Sequence, residues 1–179
     1  MPILGLIASS TRQGLATNSF ESIATPVISG SANFVDFTSI PATYKYLQIR
    51  FSIVASATNS DITLQFNSDT SSNYTYHELR GTGSTVVAGG SGSTTFVYLA
   101  SNATDATWPC VGIVDIFDYA DTNKKTTVRT LSGKDTNGGG TLQMMTGVYK
   151  STSTITSMRL DCSTAIATTS QIALYGIKG

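Results

Sequence analysis

The sequence predicts an all-β protein, an antiparallel β-sandwich resembling a jelly roll, with roughly ten short strands and an N-terminal arm. Three observations lead to this prediction. Only 12% of the 179 residues are charged, whereas the solvated faces of helices are usually rich in Glu, Lys, Arg and Gln. Thr, Val, Ile, Tyr and Phe favour pleated surfaces. Apolar residues also alternate with polar ones, as one buried sheet face requires.

The alternation is clearest in residues 47–53 and 62–66, where every second side chain is apolar. Residues 111–117 form the most continuously apolar run, which predicts a central strand. Segments rich in Gly, Asn, Asp and Ser separate the strands, and residues 81–93 form the longest of them, predicted to be a flexible loop. The predicted strands are residues 34–37, 47–53, 62–66, 74–79, 94–99, 110–117, 126–131, 142–149, 155–162 and 171–177.

We interpret residues 20–179 as a single sandwich domain and residues 1–19 as a separate arm or docking segment. Residues 1–8 are apolar without alternation and lack the positively charged start of a signal peptide. No run in the chain is long enough to span a membrane. An apolar segment must be covered by something, so it is either an extra edge strand or an arm that docks on a neighbour. The candidate docking residues are Met1, Pro2, Ile3, Leu4, Leu6 and Ile7.

The charge pattern argues against nucleic acid as a partner. Eleven basic residues balance eleven acidic ones, and no basic cluster of the kind that binds phosphates is present. Lys124, Lys125 and Arg129 follow Asp118 and Asp121, which favours a solvated turn. A weakly charged surface offers little repulsion against self-association, so we expect a homo-oligomer.

Candidate catalytic and metal-binding residues are few. His77 is the one histidine, and it shares a strand face with Thr75 and Leu79; no nucleophile motif accompanies it. Oxygen ligands for calcium are conceivable at Asp115, Asp118 and Asp121, although their spacing differs from an EF-hand and turn-forming aspartates explain them better. We predict a non-enzyme with no metal and no cofactor.

The remaining candidates are cysteines and aromatic residues. Cys110 and Cys162 both lie in strand-like runs and show no metal-binding or redox spacing, so we predict two buried thiols. Aromatic side chains can stack on sugars, but most are expected in the core or in cross-strand pairs. The candidates are Tyr44, Tyr46, Tyr74, Tyr76, Tyr98, Trp108, Tyr119 and Tyr149.

Several stretches resemble small virion proteins of tailed bacteriophages, especially marine and cyanobacterial ones. They are MPILGLIASS at the start, TSIPATYKYLQIR from residue 38, FNSD from residue 66 followed by SNY, DYADTNK from residue 118, and ALYGIKG at residues 173–179. The resemblance implies a particle component made in the host cytoplasm and located in the virion. It implies no catalytic residues, and it does not separate the capsid from the tail.

On this basis we expect a capsid decoration or cement protein that joins shell subunits, with the major capsid protein and copies of itself as partners. A symmetric trimer is the preferred oligomer, with residues 1–10 at the docking end. The alternative is a tail or tail-fibre module that binds host-surface glycans through residues 81–93 and 137–140. A glycan-cleaving enzyme ranks below both, since few carboxylates are available to form a catalytic pair.

Overall fold

In the computed structural model, residues 19–178 are described, and this part of the chain contains twelve strands and no helix. The strands, in chain order, are β1 (Phe20–Ala24), β2 (Phe34–Phe37), β3 (Tyr46–Ile53), β4 (Ile62–Phe66), β5 (Tyr74–Gly81), β6 (Val86–Thr94), β7 (Val97–Ala100), β8 (Cys110–Phe117), β9 (Thr126–Asp135), β10 (Gly140–Tyr149), β11 (Met158–Cys162) and β12 (Gln171–Ile177).

The strands form two antiparallel sheets. The large sheet has eight strands in the order β1-β12-β3-β8-β9-β10-β5-β6, and the small sheet has four in the order β2-β11-β4-β7. Apolar side chains from both sheets form one shared core between them. The predicted all-β sandwich is therefore confirmed, with somewhat more strands than expected. The predicted central position of β8 is also confirmed, since three strands lie on one side of it and four on the other.

Eight of the twelve strands reproduce the connections of a jelly roll. Without β5, β6, β9 and β10, two four-stranded sheets remain, β1-β12-β3-β8 and β2-β11-β4-β7. The chain passes repeatedly between these sheets, as in a double Greek key. We call these eight strands the jelly-roll body. The hairpins β5–β6 and β9–β10 are inserted into its connections and continue the large sheet beyond β8; we call these four strands the extension.

The core of the jelly-roll body follows directly from the alternation in β3 and its neighbours. Leu47, Ile49 and Ile53 are completely buried, while Arg50 between them is exposed on the other side of the sheet. Each fully buried aliphatic side chain of this kind contributes about 1.5–3 kcal/mol to folding. Burial of the apolar face of β3 therefore fixes which side of the sheet is inward.

The turn between β4 and β5 is organised around one carboxylate. Asp69 accepts hydrogen bonds from the backbone N–H of Ser71 (2.8 Å), the Asn73 amide (2.8 Å) and the Tyr149 hydroxyl (3.0 Å). The Tyr74 hydroxyl donates to the Asp69 carbonyl (2.9 Å). Hydrogen bonds from Asn73 and Ser71 lower the pKa of the Asp69 carboxyl to about 2. The turn is thus joined to two strands of the large sheet.

Two local predictions were wrong, and one strand was missed. Residues 81–93 are not a loop, because β6 occupies Val86–Thr94 and only a short turn separates it from β5. An edge strand pairs through its backbone, so small residues such as Gly89 and Gly90 suffice opposite β5. The predicted strand at 94–99 is interrupted between Thr94 and Val97, and β1 was not predicted.

Candidate docking surface

The extension exposes apolar side chains on the outer side of the large sheet, where the jelly-roll body is mostly polar. Leu131 is 53% exposed, Met144 58% and Leu142 65%. Their neighbours Ser132 and Gln143 point inward and are buried. Over this part of β9 and β10 the usual arrangement of polar outside and apolar inside is reversed.

Strand register places the exposed apolar side chains in one continuous row. Ile113 pairs with Leu131, Leu131 with Met144, Met144 with Leu79, and Leu79 with Ala88. Directly opposed side chains on one sheet face lie about 5 Å apart and contact one another. The row therefore crosses the sheet from β8 to β6 without a charged side chain.

A second, parallel row lies two residues further along the strands. Val111 pairs with Gly133, which pairs with Leu142; Leu142 pairs with Gly81, and Gly81 with Val86. Because Gly133 and Gly81 have no side chains, this row projects less from the sheet than the first. We call it the lower row and the first the upper row. We call the exposed apolar side chains of both rows the apolar face: Val111, Ile113, Leu131, Leu142, Met144, Leu79 and Val86.

Val111, Gly133 and Leu142 of the lower row line a shallow depression of about 930 Å³. Trp108 borders it at the β8 end, and Leu131 and Leu142 line its centre. A side chain at Gly133 would place its Cβ 2.6 Å from the Thr141 carbonyl oxygen, so this position favours glycine. The depression is open and almost entirely apolar, which is typical of a contact surface for another polypeptide.

Hydrogen bonds explain why polar residues occupy the inner side of the extension. Gln143 donates from its amide nitrogen to the Ser101 carbonyl (2.7 Å), and its amide oxygen accepts from the Ser101 N–H (2.8 Å). Ser132 donates from its hydroxyl to the Leu99 carbonyl (2.9 Å). Arg80 also donates to the Ser101 carbonyl, at 3.1 Å. These side chains attach this part of the extension to the end of β7 by hydrogen bonds, whereas Val128 and Tyr149, further along β9 and β10, are packed in the hydrophobic core.

A polar network limits the apolar face on one side. Asp115 accepts hydrogen bonds from the Arg129 guanidinium (2.7 Å) and the Gln48 amide (2.8 Å). Arg50 donates to the Gln48 amide oxygen at 2.8 Å. Arg129 is mostly exposed, whereas Asp115 is largely covered. The boundary between this network and the apolar face runs between neighbouring rows of the same strands.

The sequence-predicted carboxylates do not converge. Asp115 is paired with Arg129. The carboxylates of Asp118 and Asp121 lie instead 3.2 and 3.4 Å from the Lys124 ammonium nitrogen. The predicted solvated turn is confirmed for Lys124 and Lys125, whereas Arg129 lies in β9. Within residues 19–178, no group of three or more His, Cys, Asp and Glu side chains is arranged to hold a metal ion.

His77 is exposed on the outer side of β5, opposite Thr146 and Gly90, one row from the apolar face. Cys110 and Cys162 are free and buried, as predicted. Burial raises the pKa of the Cys110 thiol to about 12. The docking residues predicted from the sequence, Met1, Pro2, Ile3, Leu4, Leu6 and Ile7, lie outside the described residues.

The predicted distribution of aromatic residues is confirmed for most of the candidates. Tyr74, Tyr119 and Tyr149 are buried, and Tyr76 packs edge-on against Tyr98 with ring centroids 4.7 Å apart. Trp108 differs, with 41% of its surface exposed.

Two turns predicted as binding tips lie side by side near Trp108. The β5–β6 turn at Gly81–Gly83 and the β9–β10 turn at Gly138–Gly140 line one hollow with Lys134 and Asp135. The Asp105 carboxylate accepts a hydrogen bond from the backbone N–H of Trp108 (3.0 Å) and thereby fixes the loop that presents the indole. Sequence reasoning named both turns but could not show that they are adjacent.

The comparisons with known proteins assign no family to the chain. No family model matches it, and no curated protein does. Among solved structures, a protein of unknown function from Shewanella oneidensis MR-1 is similar at 10% identity and a TM-score of 0.23, covering 90% of this chain and 77% of that one. Across residues 19–178 no helix has the length and hydropathy needed to cross a membrane. The class of protein is therefore defined by its own topology, a jelly-roll sandwich with two inserted hairpins.

Proposed function

We propose that this protein is a non-catalytic structural component that assembles through the apolar face of its extension. The observation that carries the proposal is the reversed polarity around Leu131 and Met144, where apolar side chains point outward and polar ones inward. Contiguous apolar surface on the outside of a sheet marks a site of contact with another protein. Beside these residues the inner side of the extension is joined to β7 by hydrogen bonds, so the outward apolar side chains lie outside the core.

The assembly we propose is a bacteriophage virion, with the protein as a decoration or cement protein of the capsid. The resemblance of the sequence to small phage virion proteins supports a location in the phage particle. Low charge supports dense packing of copies, because few like charges repel one another. The partners in this proposal are copies of the same chain and the major capsid protein.

Particle composition tests this proposal. Phage particles are purified from cells that carry the encoding genome, and the copy number of the protein is measured by quantitative mass spectrometry. A copy number comparable with that of the major capsid protein supports a shell component, and a far lower number supports the tail. Absence of the protein from purified particles would overturn both assignments.

A matched pair of substitutions tests the role of the apolar face. Leu131→Lys places a charge in the centre of the face, while Thr127→Lys places one on the same side of the same strand, four residues away. Both positions are exposed, so both variants should fold like the wild type by circular dichroism. We expect only Leu131→Lys to be lost from particles; equal incorporation of the two would contradict a role for the face.

A second candidate function is glycan binding as a tail or tail-fibre module, and the surroundings of Trp108 favour it. An exposed indole offers a flat apolar surface for a sugar ring. Lys134, Asp135 and Thr141 lie close enough to line the adjoining hollows and offer hydrogen-bonding groups. This arrangement combines an aromatic platform with a polar rim at one end of the large sheet.

Glycan-array binding tests the second candidate. Trp108→Ala should lose binding, whereas Phe34→Ala should not, because Phe34 is an exposed aromatic residue on the small sheet. Equal binding by both variants, or none by the wild type, would exclude a glycan site at Trp108.

A further inference from the structure

The shape of the apolar face suits an extended segment better than a second sheet. Its upper row runs across five strands, a distance of about 19 Å at the usual strand spacing. It is only two rows deep, and neighbouring rows lie about 7 Å apart. A stable interface between whole domains buries about 800 Å² on each partner, more than a strip of this size provides. An extended peptide of five or six residues spans about 17–20 Å and fits the strip lengthwise.

The chain itself contains a segment of matching chemistry. Residues 3–7 read Ile-Leu-Gly-Leu-Ile and carry no charge and no polar side chain. Residues 8–19 are mainly small and polar, and when extended they span up to about 40 Å. This spacer is longer than the large sheet is wide from β1 to β6, about 34 Å across eight strands. Residues 3–7 can therefore reach an apolar face from the point where β1 begins.

The direction of β1 favours the apolar face of a neighbouring copy. Strand pairing from β1 across the large sheet to β9 places Phe20, the first residue of β1, in the same row as Thr127. The upper row of the apolar face contains Leu131, four residues further along β9. β1 runs toward the level of the apolar face, so the chain enters the sheet at the end farther from it. To cover the apolar face of its own copy, the segment before β1 would have to reverse direction at Ser19. The apolar face of a neighbouring copy that lies beyond this end of the sheet is reached without a reversal.

From this geometry we propose that residues 3–7 of one copy lie across the apolar face of a second copy. The proposal rests on the assembly function above and names the partner of that surface. Leu4 and Leu6, which project to the same side of an extended segment, would contact Ile113, Leu131 and Met144 along the upper row. Each copy donates one segment and receives another, a head-to-tail contact that forms a ring when the rotation between neighbouring copies closes.

Directed disulfide formation tests the contact. Chains carrying Leu6→Cys and an affinity tag are co-expressed with untagged chains carrying Leu131→Cys, and the mixture is oxidised. The native thiols do not compete, because Cys110 and Cys162 are buried. We expect a tagged–untagged dimer on non-reducing gels, since a bound segment holds the two thiols at millimolar effective concentration.

The matched control places the acceptor thiol outside the apolar face, in Thr127→Cys on the same side of β9. Leu131→Cys should give about tenfold more cross-linked dimer than Thr127→Cys. Similar yields at the two positions, or no dimer at either, would overturn the contact. A chain carrying both Leu6→Cys and Leu131→Cys that forms mainly an internal disulfide when diluted with wild type would show that the segment covers its own face, which also overturns the proposal.

Failure of this contact can be told apart from failure of the assembly function. If Leu131→Lys is lost from particles but the directed disulfide does not form, the face has a different partner and only the present inference is wrong. If the disulfide forms but Leu131→Lys still enters particles normally, residues 3–7 bind the apolar face of another copy, and only the proposed role of the face in the virion is wrong. Deletion of residues 1–10 should convert the oligomer to monomers by analytical ultracentrifugation, and an unchanged oligomer would contradict the contact independently.

Discussion

The large sheet joins strands of the jelly-roll body to the extension, yet part of the extension orients its side chains in the opposite way. In β3 of the body, Leu47 and Ile49 point inward and Arg50 points outward. In β10 of the extension, Gln143 points inward and Met144 outward. Alternation therefore defines two faces of a strand but not which of them meets the core. In the body the apolar side chains of β3 face the small sheet, whereas Leu131 and Met144 of the extension are exposed on the outer side of the large sheet.

The largest difference between the two regions should appear when the same residue type is truncated in each. Leu64 is completely buried between the sheets, whereas Leu131 lies on the apolar face. Leu64→Ala should lower the free energy of unfolding by about 2–5 kcal/mol, because it leaves a cavity. Leu131→Ala should change it by less than about 0.5 kcal/mol. Urea denaturation measures both, and comparable losses would contradict the proposed distinction.

A smaller effect is expected from the hydrogen bonds that hold the extension. Gln143→Ala removes both contacts with the Ser101 backbone and should cost about 1–3 kcal/mol, since the Ser101 N–H is left unsatisfied while its carbonyl keeps the bond from Arg80. Gln171→Ala, at an exposed position of β12, is the control and should cost no more than about 0.5 kcal/mol. A Gln143→Ala variant as stable as the control would show that apolar packing, not hydrogen bonding, attaches the extension.

The turn at Asp69 should make the free energy of unfolding depend on pH in the acid range. Its carboxyl has a lowered pKa, so its charged form stabilises the folded state above pH 4, and this contribution is lost as the pH falls toward 2. Asp69→Asn should flatten this part of the profile, and Tyr149→Phe should weaken it by removing one hydrogen bond. Thermal unfolding between pH 2 and pH 5 measures the effect. A wild-type profile in Asp69→Asn would assign the acid dependence to other groups.

The smallest effect is expected in the polar network beside the apolar face. Arg129→Ala breaks the pair with Asp115, but Arg129 is largely exposed, so the loss should not exceed about 1 kcal/mol and should shrink at high salt. Lys125→Ala provides a control at another exposed cation. A loss of several kcal/mol for Arg129→Ala would mean that the network supports the fold and does more than border the face.

The fold was largely accessible from the sequence because burial leaves a clear pattern in the jelly-roll body. Alternation in residues 47–53 and 62–66 correctly predicted β3 and β4, which face the core. It could not predict β6, where Gly89 and Gly90 pair through their backbones and leave no periodic pattern. It also missed β1, because Phe20 and its neighbours lie on an edge strand and are only partly buried.

The apolar face was not accessible from the sequence. Leu131, Leu142 and Met144 occur in alternating segments that look like ordinary core strands, and nothing local distinguishes an inward leucine from an outward one. The polar positions between them, Thr130, Ser132 and Gln143, form the buried side, although polar residues at such positions normally face solvent. Only pairing between strands far apart in the chain shows that the outward residues share one row.

The two hairpins of the extension enter the chain as insertions between successive strands of the jelly roll. The link β4 to β7 contains one hairpin, and the link β8 to β11 contains the other. Substitutions on the outer side of these hairpins alter the apolar face and leave the residues of the shared core in place. Partner choice in such a protein can diverge quickly between relatives, even where the requirements for folding hold the rest of the chain constant.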